Sequence, residues 1–384
     1  MDIVIQETEQ ELIGPRIKVI GVGGGGGNMI SHTIRTGSSE DVELICANTD
    51  MQALKSCLAP QKLQLGGKLS KGLGAGMKPD IGRESALESY DEIKDALKGA
   101  DIVFLAAGLG GGTGTGAAPV VAQAAKEIGA LTVSVVTKPF RNEGNKRMKL
   151  ADSGLAELKK ESDSIVVIPN DKLLSIIPKG MGIRSAFRIV DDVLARAVNG
   201  MSRIILQTGE SDINVDFADV RTIMSHRGLA LLGVGESAGN NAAYEAIKNA
   251  VDSPLFDNMS INGAMGVLVH FKVHPDYPMD EMNEALGIVH DTANEDADVI
   301  FGTTSDESLD KDCVEITIVA TGFEKDILKA SPSESALRML NFGDEAPSPQ
   351  ENEAIRKATR KVSGGFDIDI EDLDTPTYHR RRMD

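Results

Sequence analysis

Tryptophan is missing from this chain and aromatic residues amount to 4% of it, so no row of rings is available on which nucleic-acid bases could stack. Basic residues are outnumbered as well: 40 Lys and Arg face 58 Asp and Glu, a net charge of −18. A phosphate backbone or an anionic lipid surface needs the opposite sign, which argues against nucleic-acid binding and direct membrane insertion. Cysteine is confined to Cys46, Cys57 and Cys313, an odd number without CxxC spacing. That speaks against a disulfide framework or a zinc site, fits a reducing cytoplasmic setting, and reads the three as small packed hydrophobes. The histidines His32, His226, His270, His274 and His290 lack metal spacing too. No apolar run reaches the roughly 18 residues of a membrane span, and the opening MDIVIQETEQ has neither region of an export leader.

What is abundant is glycine, with 40 residues in 384, and it is clustered. The length allows two or three domains. Short β-branched runs at 17–20, 42–47, 101–107, 131–136 and 164–169 alternate with helical stretches such as Ala117 to Ile128. Runs apolar on both faces predict an α/β fold with a doubly wound, Rossmann-like parallel sheet. From Arg184 to Gln207, apolar residues Phe187, Val190, Leu194, Val198, Met201 and Ile205 recur every three or four positions. They predict a central helix roughly 36 Å long, a strut between two domains. Strand-like runs at 228–235, 263–272, 298–303 and 314–322, with helical patterns between them, predict a smaller α+β domain. The expected organisation is therefore a short flexible start (1–10), a nucleotide-binding domain (11–182), the helix (183–208), the α+β domain (209–325), a polar disordered linker (326–366) and a terminal segment (367–384).

The run Gly21 to Asn28 follows a strand and precedes a helix, so its amides can converge on an anion. Gly21, Gly23 and Gly26 match GxGxxG, and Asp50 closes the second strand, the layout of a dinucleotide crevice. A second loop, GLGGGTGTG at 108–116, sits in the same setting, with Thr113 and Thr115 adding hydroxyls. Two such loops on one sheet edge suit a polyphosphate better than a single pyrophosphate, and a nicotinamide enzyme leaves the second unexplained. No GxxxxGK occurs, so amides and a metal ion must offset the phosphate charge. Asp191 and Asp192 on the long helix cannot be told apart by pattern. Glu143 and Arg147 read blind as an i, i+4 ion pair, and DFAD at 216–219 as a loop or helix-cap segment.

GGGTGTG at 110–116 is a tubulin-type signature, and with GVGGGGGN (21–28), ANTD (47–50), GLGAG (72–76), TKPF (137–140), IPNDKLL (168–174) and NVDFADV (214–220) the chain resembles the FtsZ family of tubulin-related bacterial GTPases. The resemblance spans 11–325 and returns at the C-terminus. It implies a GTPase that binds GTP or GDP, polymerises head to tail into protofilaments, and forms a cytoplasmic ring at the midcell division site. A non-dividing, nucleotide-binding paralogue or scaffold is the alternative. The family's phosphate contacts fall on Gly24, Gly25, Gly26, Gly27 and Asn28 and on Gly108, Gly111, Gly112, Thr113, Gly114, Thr115 and Gly116. Asn48, Thr49, Asp50, Gly74, Ala75 and Gly76 face the γ-phosphate and Mg²⁺, which no protein residue fixes alone. Glu143 faces the ribose, Arg147 lies near sugar and phosphate, Asp191 reads guanine, and Pro139, Asn170 and Phe187 complete the set. Asn214, Asp216 and Asp219 are implied to be catalytic on the neighbouring subunit's nucleotide, with K⁺ offsetting charge. Leu373, Asp374, Pro376 and Tyr378 resemble the core of a peptide, within 367–384, that docks membrane tethers and division regulators; the three arginines after His379 make its end unusually basic.

Overall fold

Strands β1 (Ile17–Val22), β4 (Ile102–Gly108) and β5 (Leu131–Lys138) carry side chains buried along almost their whole length. That burial requires cover on both faces of a sheet. The computed structural model describes residues 14–37, 42–173, 180–206, 212–226, 228–251, 261 and 263–323. Residues 1–10, the linker and the terminal peptide expected from the sequence lie outside the described residues.

β1 pairs in parallel with β2 (Glu43–Asn48) on one side and β4 on the other, and β4, β5 and β6 (Ser164–Pro169) continue the parallel series. Alternation along β1 sends Val19 to one face and Ile20 to the other. The first face is covered by α1 (Gly23–Arg35), α2 (Met51–Ser56), α8 (Ile183–Leu206) and α9 (Phe217–Ser225). The second is covered by α3 (Pro79–Glu88), α4 (Tyr90–Leu97), α5 (Thr113–Glu127) and α6 (Asn145–Glu161).

Three features depart from the sequence expectation. An edge strand β3 (Gln61–Gln64) pairs with β2 although QKLQ is mostly polar and half exposed. The glycine run is itself helical: α1 starts at Gly23, and α5 starts at Thr113 inside the second loop rather than at Ala117. The two regions also share a strand. β7 (Gly228–Ala238) pairs in parallel with β6 through its first three residues and then antiparallel with β10 (Cys313–Thr321).

β10 also pairs with β8 (Gly266–Val273), which pairs in parallel with β9 (Asp298–Ser305). Among the described residues the sheet therefore has ten strands in the order β3-β2-β1-β4-β5-β6-β7-β10-β8-β9. The helices α10 (Ala242–Val251) and α11 (Met279–Thr292) close its far region. The long helix α8 buries Val190, Leu194, Val198, Met201 and Ile205 in a core that runs from Val135 of β5 to Leu268 and Val319 of β8 and β10. Gly200 of α8 lies against Thr317, where a Cβ would meet the Thr methyl at 3.2 Å. α8 is thus packed along the sheet, on both sides of the place where strand direction reverses.

Candidate nucleotide site

The carboxyl ends of β1, β2, β4, β5 and β6 lie on one edge of the sheet, and there the glycine loops meet backbone to backbone. A Cβ on Gly23, whose φ is +74°, would stand 2.8 Å from the amide nitrogen of Gly114, and one on Gly25 would stand 3.1 Å from that of Gly108. Gly26 packs on Gly21 and on the carbonyl of Ala106, which draws the first turn of α1 onto β4. Five glycines in a helix start cost roughly 1 kcal/mol each in propensity, so these close approaches decide the conformation. Neither α1 nor α5 has an acidic residue in its first turn. Their unpaired amides and positive dipole ends are therefore available to an anion.

A third loop completes the edge. Gly74 donates to the carbonyl of Thr49, Met51 to that of Gly72, and Gly112 faces Ala75, where a Cβ would meet the Ala Cβ at 2.7 Å. The Thr49 and Thr113 hydroxyls bond at 2.6 Å, tying the end of β2 to the second loop. Asp50 caps α2: its Oδ1 accepts from Gln52 at 2.8 Å and Ala53 at 3.2 Å. Gly76 and Gly111 have open space where a Cβ would be. Thr115 and Gly116, grouped with the phosphate loop by sequence, serve packing: the Thr115 hydroxyl accepts from Gly110 at 2.9 Å, and Gly116 lies on Pro79 of α3.

Next to these loops is a cavity of about 850 Å³ lined by Gly24, Gly27, Asn28, Asn48, Phe187 and Asp191 from the expected set. Asp191 and Asp192 part company here. Asp191 faces the cavity, and burial pushes its carboxyl up to about 6, with the charges of His32 and Arg35 pulling the other way. Asp192 instead meets His32 Nε2 at 3.2 Å and Arg196 at 2.8 Å. Phe187 belongs to the apolar spacing of α8, yet it is 44% exposed and stands edge-on to Phe140 at 5.6 Å. Asn170 opens the short helix α7 (Asn170–Leu173) directly after β6; it is buried, and among the described residues its Oδ1 has no partner. A buried amide oxygen in that state costs about 1–3 kcal/mol unless a ligand satisfies it.

Glu143 and Arg147 form the ion pair of the blind reading, and Glu143 also accepts from the Phe140 amide. Pro139 and the Arg147 backbone brace Gly110. Asn214, Asp216 and Asp219 do not line this cavity. Asp216 is the N-cap of α9, accepting from Asp219 N at 2.8 Å, while the other end of α9 is held by Ser164, whose hydroxyl donates to Met224 at 2.7 Å. Ser164 begins β6, so α9 lies at the amino edge of the parallel sheet, a strand length of about 20 Å from the cavity edge.

Sequence reasoning passed over several lining residues: Ser31, His32, Arg35, Cys46, Cys57, Arg184 and Arg188. A signal existed for two of them. Arg184, Phe187, Arg188 and Asp191 are spaced three and four apart, one face of a helix, and three of the four are charged. These arginines and Arg35 bring positive charge to a molecule that is acidic overall.

Residues 16–178 match the model of the Tubulin/FtsZ family GTPase domain, and residues 228–324 that of the FtsZ family C-terminal domain. Among curated relatives, the cell division protein FtsZ of Helicobacter pylori (strain ATCC 700392 / 26695) is 47% identical over 97% of this chain and 93% of its own. That of Pseudomonas aeruginosa PAO1 is 43% identical over 96% and 97%. Among solved structures, an empty FtsZ dimer from M. jannaschii superposes with a TM-score of 0.75 at 45% identity, covering 81% of this chain and 89% of the other. CetZ2 of Haloferax volcanii shares the fold, with a TM-score of 0.68 at 23% identity over 90% and 99%. The doubly wound sheet, the two glycine-loop helix starts and the long helix that brings Asp191 to the cavity define a tubulin-like GTPase. The chain belongs to the FtsZ family, and the relatives it matches are cell-division proteins.

Proposed function

We propose that this GTPase assembles head to tail into protofilaments, and that the acidic end of one subunit completes the nucleotide site of the next. The observation that carries this reading is the separation of its two parts. The loops gather at the carboxyl edge of the sheet, while Asp216 and Asp219 cap a helix anchored at the amino edge. A single molecule cannot fold one onto the other, whereas a second copy stacked along the strand direction brings them together. Exposed Leu69, Leu73 and Met77 flank the loops and suit burial against such a copy. The M. jannaschii relative solved as a dimer supports self-association.

In this arrangement amides of α1 and α5 hold the phosphates, Asp191 accepts from the guanine N1–H and N2–H₂ donors, and Asn170 gains its missing partner. Asp216 and Asp219 from the next subunit orient the attacking water and take its proton, with Asn214 beside them. Asp50 and the Thr49 and Thr113 hydroxyls fit a hard, oxygen-seeking ion such as Mg²⁺, which would lower the charge on the transferring phosphoryl group. They are too few to hold it without the triphosphate, and among the described residues no cluster of three or more His, Cys, Asp or Glu offers an alternative. A monovalent cation such as K⁺ would offset the charge of the incoming carboxylates. Filaments of this kind build the cytoplasmic division ring at midcell, with residues 367–384 recruiting membrane tethers and regulators. Specific activity measured across a protein dilution series tests the reading: turnover per molecule should rise through the assembly threshold. A flat profile would sink it.

A further inference from the structure

Cys46 belongs to β2 and Cys57 directly follows α2; both are buried, yet both line the nucleotide cavity. Their sulfurs converge under one residue of α1. A Cβ on Gly27 would stand 3.1 Å from Cys46 Sγ and 4.0 Å from Cys57 Sγ. The two thiols thus face the same point of the cavity floor, close enough for each to perturb the other. Cys57 S–H donates to the Gly27 carbonyl at 3.5 Å, and the Ser31 hydroxyl donates to Cys57 Sγ at 3.5 Å. No third His, Cys, Asp or Glu joins them in a metal-ligand cluster among the described residues. GTP hydrolysis has no use for two thiols there. Neighbouring thiols have a chemistry that a single buried thiol lacks, because the second sulfur can resolve an oxidised first one.

We propose that Cys46 and Cys57 form a two-thiol modification site on the cavity floor, which a hydroperoxide closes to a disulfide when the cavity is empty and which bound nucleotide shields. Cys57 is the attacking sulfur. The neighbouring Cys46 thiol holds the Cys57 thiol below its ordinary range, helped by Ser31, the Ala59 backbone and Lys62 against the effect of burial. The Cys57 sulfur and burial together push Cys46 up. The Cys57 thiolate attacks one peroxide oxygen; the O–O bond breaks, sulfur is oxidised to the sulfenic acid, and the departing oxygen leaves as water after taking a proton. Cys46 sulfur then attacks Cys57 sulfur, the S–S bond forms, and the sulfenic hydroxyl leaves as a second water carrying the Cys46 proton. Two thiols and one hydrogen peroxide thus give one disulfide and two waters. Shielding rests on the nucleotide reading of the cavity, since a ligand on Gly24, Gly27 and Asn28 lies across both sulfurs.

The test exposes the full chain to hydrogen peroxide with and without saturating GDP and maps its thiols by peptide mass spectrometry. A peptide joining Cys46 to Cys57 should appear in nucleotide-free protein, vanish on treatment with dithiothreitol, and fall at least tenfold with GDP. Cys313, which does not line the cavity, serves as the internal reference and should ignore GDP. In C46S a dimedone tag should mark Cys57 at least tenfold more than it marks Cys46 in C57S. Absence of the joined peptide while Cys313 oxidises would overturn the proposal, as would equal yield with GDP bound. Calorimetry on the same sample separates the two readings: GDP that does not bind sinks the nucleotide site, and GDP that binds without protecting sinks only the thiol proposal.

Discussion

The two edges of the parallel sheet are built from different material. At the carboxyl edge, glycine lets three loops approach so closely that backbone amides form the surface, and several positions leave no room for a Cβ. At the amino edge, the work falls to side chains: Asp216 caps α9 with one oxygen and stands exposed. An amide surface can grip phosphate charge tightly because it carries partial positive charge without mobile side chains, but it holds no base to take a proton. Carboxylates can do that, yet beside their own triphosphate they would repel it. In the proposed filament, placing them on opposite edges would remove the repulsion until a neighbour stacks.

The comparison breaks most visibly at Asp216. Asn also caps helices well, so Asp216→Asn removes the charge and keeps the cap. Turnover at filament-forming concentrations should drop at least ~100-fold while GTP binding measured by calorimetry stays within about twofold. Mixing this variant with Asp191→Ala should restore part of the activity, because each supplies the edge the other lacks. At a GTP concentration too low to load Asp191→Ala, a mixture that turns over no faster than the two variants apart, while it still sediments as filaments, would break the comparison.

Asp191→Ala tests the other edge. Losing a charged acceptor costs about 1.5–3 kcal/mol, so GTP affinity should fall roughly ten- to hundredfold. The pH dependence has two opposite signs. In the empty protein, burial raises the Asp191 carboxyl from an ordinary 3.8 to about 6. Its contribution to stability is therefore complete below about 3.8 and is lost as pH rises through 6. Guanine binding needs the ionised acceptor, so affinity should strengthen over that same rise. Calorimetry at several pH values from 5 to 8 reads the second slope, and thermal melts of nucleotide-free wild type against Asp191→Asn read the first.

A smaller effect separates glycines that pack from glycines that face ligand. Gly26→Ala drives a Cβ into the backbone of Gly21 and Ala106 and should destabilise by about 1–3 kcal/mol in chemical denaturation. Gly24→Ala meets nothing within 4 Å and should leave the melt unchanged or raise it slightly, while weakening nucleotide binding from the cavity side. Equal melts for the two variants would mean that the loop is not packed as described.

Much of this arrangement is legible in the chain because buried parallel strands must be apolar on both faces, and IVFLAA or LTVSVV can be little else. QKLQ escaped because an edge strand exposed on one side needs no such pattern. The helical state of Gly23–Gly27 escaped for the opposite reason: glycine is a poor helix former, and only contact with the second loop decides the matter. Cys46 and Cys57 sit on different elements, so their meeting depends on how α2 turns back over β2. Arg184 and Arg188 carried a helical spacing that the apolar stripe beside them obscured.

The Asp191 and Asp192 pair shows where pattern alone stops. Adjacent residues on a helix point about 100° apart, so at most one can face a given cavity, and nothing in DD says which. The packing of Val190, Leu194 and Val198 fixes the rotation of α8 and sends Asp192 to His32 and Arg196. These contacts are partly exposed, and such pairs contribute only ~0–1 kcal/mol. Asp192→Asn should accordingly shift GTP affinity by less than about twofold, the residue reaching the cavity only through His32. A loss as large as that of Asp191→Ala would mean that α8 is rotated by one residue about its axis, and the assignment of the guanine reader would move with it.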